Sequence, residues 1–511
     1  MIRFELSEDN QWLVLKHYDE DVEKKQIELS LTKKIHNFYF HPLVKKKLWD
    51  GNICFVDKRG PFWRVGVGLW SELYKIAEEY GIKIKIEGLE RIVDAELTLE
   101  VFNDWVNQFF KGKQIKPRDY QIEAAWKIIR FRYSVSEIAT SSGKTLIAFL
   151  ILSYLKKVKR INKFLMIVPN TNLVIQGTED FENYGIKELG DVKIGQLGGG
   201  NKLRDGANVI IGTYQSIIKQ EKDFFDGVDA VFVDEAHLSN TASIKKILSN
   251  CMTSGWRFGL TGTLTKRGSA EFLTVQQFLG PLAIEISPNF LFENKYATPI
   301  NVKIVRMDWM YPEFKEKLYN LRTSSQNDID GKDLYNIERK LSLESDQRFL
   351  FIVDFILKSK KNSLVLFNSV GSGYGKKIYH SIREKDSSKE VFYIDGDSDI
   401  DNRDYIINKM KEGENKILVA STGTLSTGIS INNLYNIFLA ETYKSEIVIK
   451  QIIGRGMRLH EGKERVNIVD FVDDMSFKGN NNYLMKHSLE RIEIYKRERF
   501  DYKIYEVNLI N

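Results

Sequence analysis

Cysteine is almost absent: Cys54 and Cys251 are the two in 511 residues. That excludes a disulfide-stapled scaffold and fits the reducing interior of a cell, so a cytoplasmic setting is expected. Long apolar runs are missing as well. None approaches the ~18 residues that a membrane span needs, so no membrane role is expected. The first residues carry Glu5, Glu8 and Asp9 and lack the basic-then-apolar form of a signal peptide. There is no internal repeat and no low-complexity tract, which excludes repeat arrays. What remains is globular: 43% hydrophobic and 28% charged. At ~150 residues each there is room for roughly three domains. A net charge of +6 and a pI of about 8.8 are compatible with a polyanionic partner without demanding one.

The chain is organised around Ile138-Ala139-Thr140-Ser141-Ser142-Gly143-Lys144-Thr145. A helical segment and an aromatic-rich turn precede it, and the apolar run at residues 146–155 reads as a helix. Gly-Lys-Thr at a helix start is the ending of a phosphate-binding loop. The small residues Thr140, Ser141, Ser142 and Gly143 let backbone N–H groups curl round phosphate oxygens, and the helix N-terminus adds favourable partial charge. Lys144 is placed to reach the β- and γ-phosphates, and Thr145 to set its hydroxyl on Mg²⁺. Ile138 stands where the pattern has its first glycine. Alone, the stretch also fits a small-residue turn before a helix, and its surroundings decide.

Upstream, residues 27–31 and 53–57 read as strands and 69–80 as a helix, with Leu69, Leu73 and Ile76 on one face. A small α/β domain over residues 1–100 is expected. Residues 28–64 are basic, with Lys33, Lys34, Lys45, Lys46, Lys47, Lys58, Arg59 and Arg64. Phe38, Tyr39, Phe40, Trp49, Phe55, Phe62 and Trp63 interleave with them. Cations with aromatics suit phosphate contact and base stacking. The plainer alternative is a set of core aromatics under a solvated basic face. Residues 97–110 read as a helix, 111–116 as a linker, and Pro117-Arg118-Asp119-Tyr120-Gln121 as the start of another helix. Just ahead of a phosphate loop, Gln121 can pair with adenine through its two-sided amide.

Downstream, polar residues gather where apolar strands end. Residues 164–168 lead to Asn170 and Thr171, and residues 209–211 to Thr213 and Gln215. Open α/β sheets bind ligands at the carboxyl ends of strands. Short hydroxyls and amides there suit a sugar-phosphate backbone, although helix capping by Thr171 and Ser216 is an equally simple use. Gly198-Gly199-Gly200 reads as a flexible turn. The buried strand at 230–233 runs into Asp234-Glu235-Ala236-His237. A carboxylate at that place holds Mg²⁺, and one beside it polarises the attacking water. Thr261-Gly262-Thr263 is a third polar strand end.

In this order, residues 138–145, 234–237 and 261–263 resemble the superfamily 2 helicases and translocases. The resemblance implies a second RecA-like domain, and the second half carries its signs. Residues 287–300 read as a connection, and 364–369, 391–395 and 416–420 as strands, the first ending in Ser369. Thr427-Gly428-Ile429-Ser430 follows, with Ser430 where the superfamily often has Asp. Gln451-Ile452-Ile453-Gly454-Arg455-Gly456-Met457-Arg458 matches Gln-x-x-Gly-Arg-x-x-Arg. Its spacing is expected to set Arg455 and Arg458 on one helical face, as arginine fingers. Residues 306–348 read as polar and helical, with a turn at 327–332 and no role assigned. Residues 484–499 read as a basic helix with Lys486, Arg491, Lys496, Arg497 and Arg499, touching nucleic acid or packing on the second domain. The fold class expected is α/β: RecA-like parallel-sheet domains at 101–286 and 287–477, a small α/β nucleic-acid-binding domain at 1–100, and a basic helical extension at 478–511.

Within the superfamily, nearly the whole chain is similar to the phage UvsW-type helicases. Trp49-Asp50-Gly51, the glycine turn, residues 427–430 and the closing helix carry that likeness. It implies ATP and Mg²⁺ as cofactors, and DNA as partner, branched or forked, with an RNA–DNA hybrid as a further substrate. It implies nucleotide contacts from Arg118, Gln121, Thr140, Ser141, Ser142, Gly143, Lys144, Thr145 and Gly428, with Mg²⁺ on Thr145 and Asp234. Hydrolysis would fall to Lys144, Asp234, Glu235, Gln451, Arg455 and Arg458. Nucleic acid would meet Asn170, Thr171, Thr213, Gln215, Ser369 and Thr427, and His237, Thr261 and Thr263 would couple the two events. The activity implied is ATP-driven fork regression, junction migration and R-loop unwinding in phage recombination, repair and replication. Other readings stay open. An RNA helicase or annealing chaperone would differ in 2′-OH contacts. The motor of a restriction or remodelling complex would bring a nuclease signature, and none accompanies these motifs. A non-hydrolysing clamp would lack Lys144, Glu235 or Arg455, and all three are present.

Overall fold

Runs such as Phe164-Leu165-Met166-Ile167-Val168 are apolar without alternation, as a strand buried on both faces requires. In the computed structural model such runs become two parallel sheets. The structure describes all residues except 60–61, 202, 252, 324–330, 426–430 and 510–511. It divides into one unit of Met1–Ala139 and Gly143–Ile286 and another of Thr140–Ser142 and Ser287–Asn511.

The large sheet of the first unit has seven parallel strands in the order Ile194–Leu197, Val209–Thr213, Lys163–Val168, Val228–Asp234, Trp256–Thr261, Tyr133–Ile138 and Leu282–Ile286. The strand Tyr133–Ile138 lies where the sequence reads as an aromatic-rich turn. Its Ser134 and Ser136 are fully buried in spite of their polarity, which is why the run does not announce a strand. The helix Lys144–Tyr154 follows it, buried from Leu146 to its end.

The smaller sheet orders Val56–Asp57, Arg64–Gly66, Trp12–Tyr18, Ile2–Leu6 and Ile84–Glu87, with antiparallel pairs and one parallel pair. Residues 27–31, expected as a strand, fall mainly in the helix Asp21–Ser30. Ile27 and Leu31 are four apart and both buried, while Leu29 is exposed. Such a short run fits both periods, and Asp21 and Glu23 in the first turn favour the helix. This sheet does not stand apart. Ile2, Phe4, Leu69 and Leu73 share one apolar core with Tyr133, Phe272 and Leu273 of the larger layer. The His36 N–H also donates to Glu271 Oε1 at 2.9 Å.

The second unit holds another all-parallel sheet, ordered Glu390–Ile394, Lys416–Ser421, Ser363–Phe367, Asn436–Leu439, Val466–Asp474, Ile300–Trp309 and Asp501–Leu509. The last strand extends the sheet beyond the helical ending expected from sequence. It is an exposed edge, and its polar letters hide it. Buried ion pairs pin helices to this sheet. Arg348 Nε donates to Asp473 Oδ1 at 2.8 Å, and Arg491 donates to both Asp470 oxygens at 2.8 Å. The helix Tyr483–Arg497 therefore packs on the sheet, with Lys496 on Glu493 and Arg497 on Glu446. Residues 306–348 supply the end of the strand Ile300–Trp309 and the helices Pro312–Thr323 and Gly331–Glu344. Most of the expected turn at 327–332 lies outside the described residues. Among the described residues no helix is long and apolar enough to cross a membrane.

His487 on that last helix gives the unit an acid limit. Its ring lies 5.1 Å from the Tyr335 ring. Burial, then the Lys444 and Arg491 cations, push its pKa from 6.5 to about 4. The unfolded chain takes up this proton near 6.5 and the folded one near 4, so the contribution is present above 6.5 and fades as pH falls towards 4. His487→Gln should flatten the fall of Tm across that window. Equal slopes for the two proteins in a pH series of melting curves would rule His487 out as the titrating group.

Candidate active site

Gly143 opens the helix Lys144–Tyr154 with φ +82°, a backbone that favours glycine. A Cβ there would lie 2.4 Å from Gln121 Nε2, so close approach requires glycine too. The structure thus lays the Gln121 amide against the loop. Gln121 is buried, and its Oε1 accepts the Arg118 N–H at 2.9 Å, which braces the start of the helix Asp119–Phe131. Ser141 also has positive φ, +68°, and Ser142 is buried. Thr140 and Thr145 are half-buried.

Asp234 ends its strand, and Glu235 turns the chain with φ +54°. The Glu235 N–H donates to Asp234 Oδ1 at 3.0 Å. Lys144 Nζ reaches Glu235 Oε1 at 3.3 Å, so loop lysine and strand-end acid form an ion pair. Thr261 Oγ1 lies 3.2 Å from Glu235 Oε2, 2.9 Å from His237 Nδ1 and 3.0 Å from the Thr263 carbonyl, and it accepts the Thr263 N–H at 3.1 Å. His237 Nδ1 is also 3.4 Å from Glu235 Oε2. Of the three residues expected to couple nucleotide and strand, Thr261 and His237 thus meet one carboxylate, and Thr263 reaches it through Thr261.

The electrostatics separate the two acids. Burial raises Asp234; the Lys144 ammonium opposes this and the Glu235 charge adds to it, leaving Asp234 above the usual carboxylate range. Burial acts on Glu235 too, but Lys144 and His237 outweigh it and hold Glu235 below that range. Burial would lower Lys144, and Glu235 with Asp234 keep it above its ordinary value. The two neighbouring acids are thus pushed in opposite directions, Asp234 up and Glu235 down. Among the described residues no group of three or more His, Cys, Asp or Glu could hold a metal. A hydroxyl from Thr145 and a carboxylate from Asp234 nonetheless fit Mg²⁺, which takes few protein oxygens and completes its shell with phosphates and water.

The comparisons with known proteins agree with this chemistry. Residues 114–266 match the family of type III restriction enzyme res subunits, and residues 347–460 match the helicase conserved C-terminal domain. The chain is 30% identical over 496 residues to the ATP-dependent DNA helicase uvsW of Enterobacteria phage T4, covering 92% of this chain and 93% of that one. It belongs to the UvsW family of superfamily 2 helicases. Its enzyme class is therefore ATP-dependent helicase. The crystal structure of T4 UvsW aligns over 100% of both chains at 27% identity with a TM-score of 0.49. A fragment of a putative HsdR subunit of a type I restriction enzyme from Vibrio vulnificus aligns at 18% identity and a TM-score of 0.55, over 86% of this chain and 74% of that one. That last is a likeness of fold alone.

In this helicase the other expected contacts fall into separate groups. Asn170 caps the helix Thr171–Asn183, its Oδ1 accepting the Leu173 N–H at 3.1 Å. The Thr213 hydroxyl donates to Ser216 Oγ at 3.0 Å, and Gln215 is exposed on the next turn. Their strands are neighbours in the sheet, so these residues share one end of it. The glycine turn packs against two of them: a Cβ at Gly199, which has φ +61°, would lie 2.8 Å from Thr171 Cγ2, and one at Gly198 would lie 3.2 Å from Thr213 Cγ2. In the second unit, Glu441 accepts the Asn368 and Ser369 N–H groups at 2.9 and 2.8 Å and the Ser369 hydroxyl at 2.8 Å. Arg339 reaches the same carboxylate at 3.1 Å. Neither Glu441 nor Arg339 belongs to a motif read from the sequence, and two of the Glu441 partners are backbone N–H groups. Thr427, Gly428 and Ser430 lie outside the described residues.

Gln451 and Arg455 stand four apart on the helix Glu446–Gly456 and share a face. Arg458 does not continue that face. The helix ends at Gly456, and Arg458 follows the cap residue Met457. The cause is tertiary capture of the next carbonyls. Thr298 donates from N to Met457 O at 2.8 Å and from Oγ1 to Arg458 O at 3.1 Å.

Proposed function

We propose that this helicase remodels branched DNA by ATP-driven fork regression, junction migration and R-loop unwinding. One observation supports the branched substrate above all: the loop at residues 35–51, joining the antiparallel strands Thr32–Lys34 and Asn52–Cys54. Trp49 Nε1 donates to the Asn52 carbonyl at 2.9 Å, the His41 and Trp49 rings lie 5.0 Å apart, and Lys34 Nζ sits 4.1 Å over the Phe38 ring. These side chains brace the loop. Tyr39, Phe40 and Leu48 are left 53%, 60% and 72% exposed, beside exposed Lys45, Lys46 and Lys47. Phe55, by contrast, is core. Large exposed aromatics next to lysines match unstacked bases beside phosphates, which a branch point offers. The core shared with the larger sheet fixes this loop to the first unit's motor layer.

For hydrolysis, Gln121 reads the adenine, and the loop amides with Lys144 hold the phosphates. Thr145 and Asp234 would hold Mg²⁺, which would supply charge neutralisation to the phosphates. Glu235 takes a proton from the attacking water. Thr261 and His237 fix the orientation of Glu235 and pass its state to Thr263. Arg455 and Arg458 supply positive charge to the transition state, and Gln451 a neutral amide donor. Asn170, Thr171, Thr213, Gln215, Ser369 and Thr427 grip the backbone.

Stacking is worth about 1–3 kcal/mol per base. The double variant Tyr39→Ala/Phe40→Ala should therefore lose at least about 10-fold more in forked-DNA unwinding than in single-strand-stimulated ATPase. The measurement compares both activities on matched DNA and RNA forks. Equal losses would reject the loop as a branch reader. Stronger stimulation by RNA than by DNA would favour the RNA helicase reading.

A further inference from the structure

Besides Thr298, one ammonium group holds the chain beyond the helix Glu446–Gly456. Lys463 Nζ donates to three main-chain carbonyls: Gly456 O at 2.8 Å, Arg458 O at 2.9 Å and Asn432 O at 2.9 Å. An ammonium has three N–H bonds, and all three are used. Lys463 is 7% exposed, so water does not compete for them.

Two of these bonds have a plain structural use. The last carbonyls of a helix lack partners within it, and a cation there also suits the helix dipole. Gly456 and Arg458 would be served by an ordinary cap. The third bond reaches outside the helix end. Asn432 is 31 positions away in sequence and belongs to the chain just after residues 427–430. One side chain thereby joins the chain at Asn432 to the segment that carries Arg455 and Arg458. Burial, and behind it the Arg458 guanidinium, push Lys463 down to about 7.

We propose that Lys463 is a positioning residue for the arginine segment: it locks the Arg458 backbone, and through Gly456 the Arg455 helix, to the chain leaving residues 427–430. The arginines are then held where the transition state needs them. This rests on the roles proposed above for Arg455 and Arg458.

The test uses the full chain and its ATPase with a single-stranded DNA oligonucleotide. A small misplacement of catalytic groups costs up to about 10²-fold, so Lys463→Ala should lower kcat by roughly 10- to 100-fold with KM for ATP within about 3-fold. The variant also opens a hole lined by three carbonyls. Added methylammonium should enter it and recover at least about 3-fold in kcat. A merely structural lysine would lose kcat only in proportion to folded protein, read by circular dichroism, and that result overturns the proposal. A kcat within 2-fold of the parent, or a defect confined to KM, overturns it too. Should Lys463→Ala not fold, Lys463→Gln, which keeps two N–H donors, carries the same comparison. A low kcat at unchanged KM supports the proposal, and a parental kcat overturns it. A parent protein that no nucleic acid stimulates would defeat the proposed function itself, before any variant is compared.

Discussion

Lys144→Ala should lower kcat for ATP hydrolysis by roughly 10²–10³-fold, the scale of losing one preorganised charge donor, while nucleic-acid binding persists. Lys144 acts twice. Its ammonium is placed for the phosphates, and at 3.3 Å from Glu235 Oε1 it also keeps that acid ionised. Without it, Glu235 and Asp234 would share a buried corner with no cation from the loop, and Glu235 would rise towards the protonated form that cannot accept a proton. Binding should survive because the proposed grip lies elsewhere. Asn170, Thr171 and Thr213 sit at the ends of the strands Lys163–Val168 and Val209–Thr213, separate from the strand that feeds the phosphate loop. Fluorescence anisotropy with a labelled single strand measures the binding, and phosphate release measures turnover. Parental turnover in the variant would remove the phosphate-loop assignment.

What the sequence shows of this fold depends on where each strand sits. The central strands of both sheets are buried on two faces, so they read as apolar runs with polar ends. The site inherits that legibility: Asp234, Thr261 and Ser369 sit at or just past strand ends and are found by walking off an apolar run. Edges and half-polar strands are harder. Ile194–Leu197 contains Gly195 and Gln196, and Asp501–Leu509 is mostly exposed, so neither has an apolar signature. The end of the arginine helix was not legible either. Arg458 leaves it because Lys463 and Thr298 take the following carbonyls. Main-chain oxygens have no letter of their own, so a lysine that gathers three of them looks like any other lysine. The same holds for Glu441, whose partners include two backbone N–H groups.

Glu235→Gln should lower kcat by about 10²–10⁴-fold, the range of a lost general base, while ATP still binds. The substitution keeps the shape of the side chain. Its amide can still face Thr261 and His237, which lie 3.2 and 3.4 Å from Oε2 in the parent. Lys144 keeps the Asp234 carboxylate as a partner, since both acids raise its pKa. What is lost is the one acid held below the usual carboxylate range, ionised and ready to accept a proton from water. The variant should therefore hold ATP with a Kd within about 3-fold of the parent and stay on single-stranded DNA, because the step that releases the grip fails. Single-turnover hydrolysis and ATP binding, measured side by side, separate the two effects. Near-parental hydrolysis would move the base to another group. Asp234→Asn then discriminates: loss of a metal ligand raises the Mg²⁺ concentration needed for half-maximal rate, whereas loss of a base leaves that concentration unchanged.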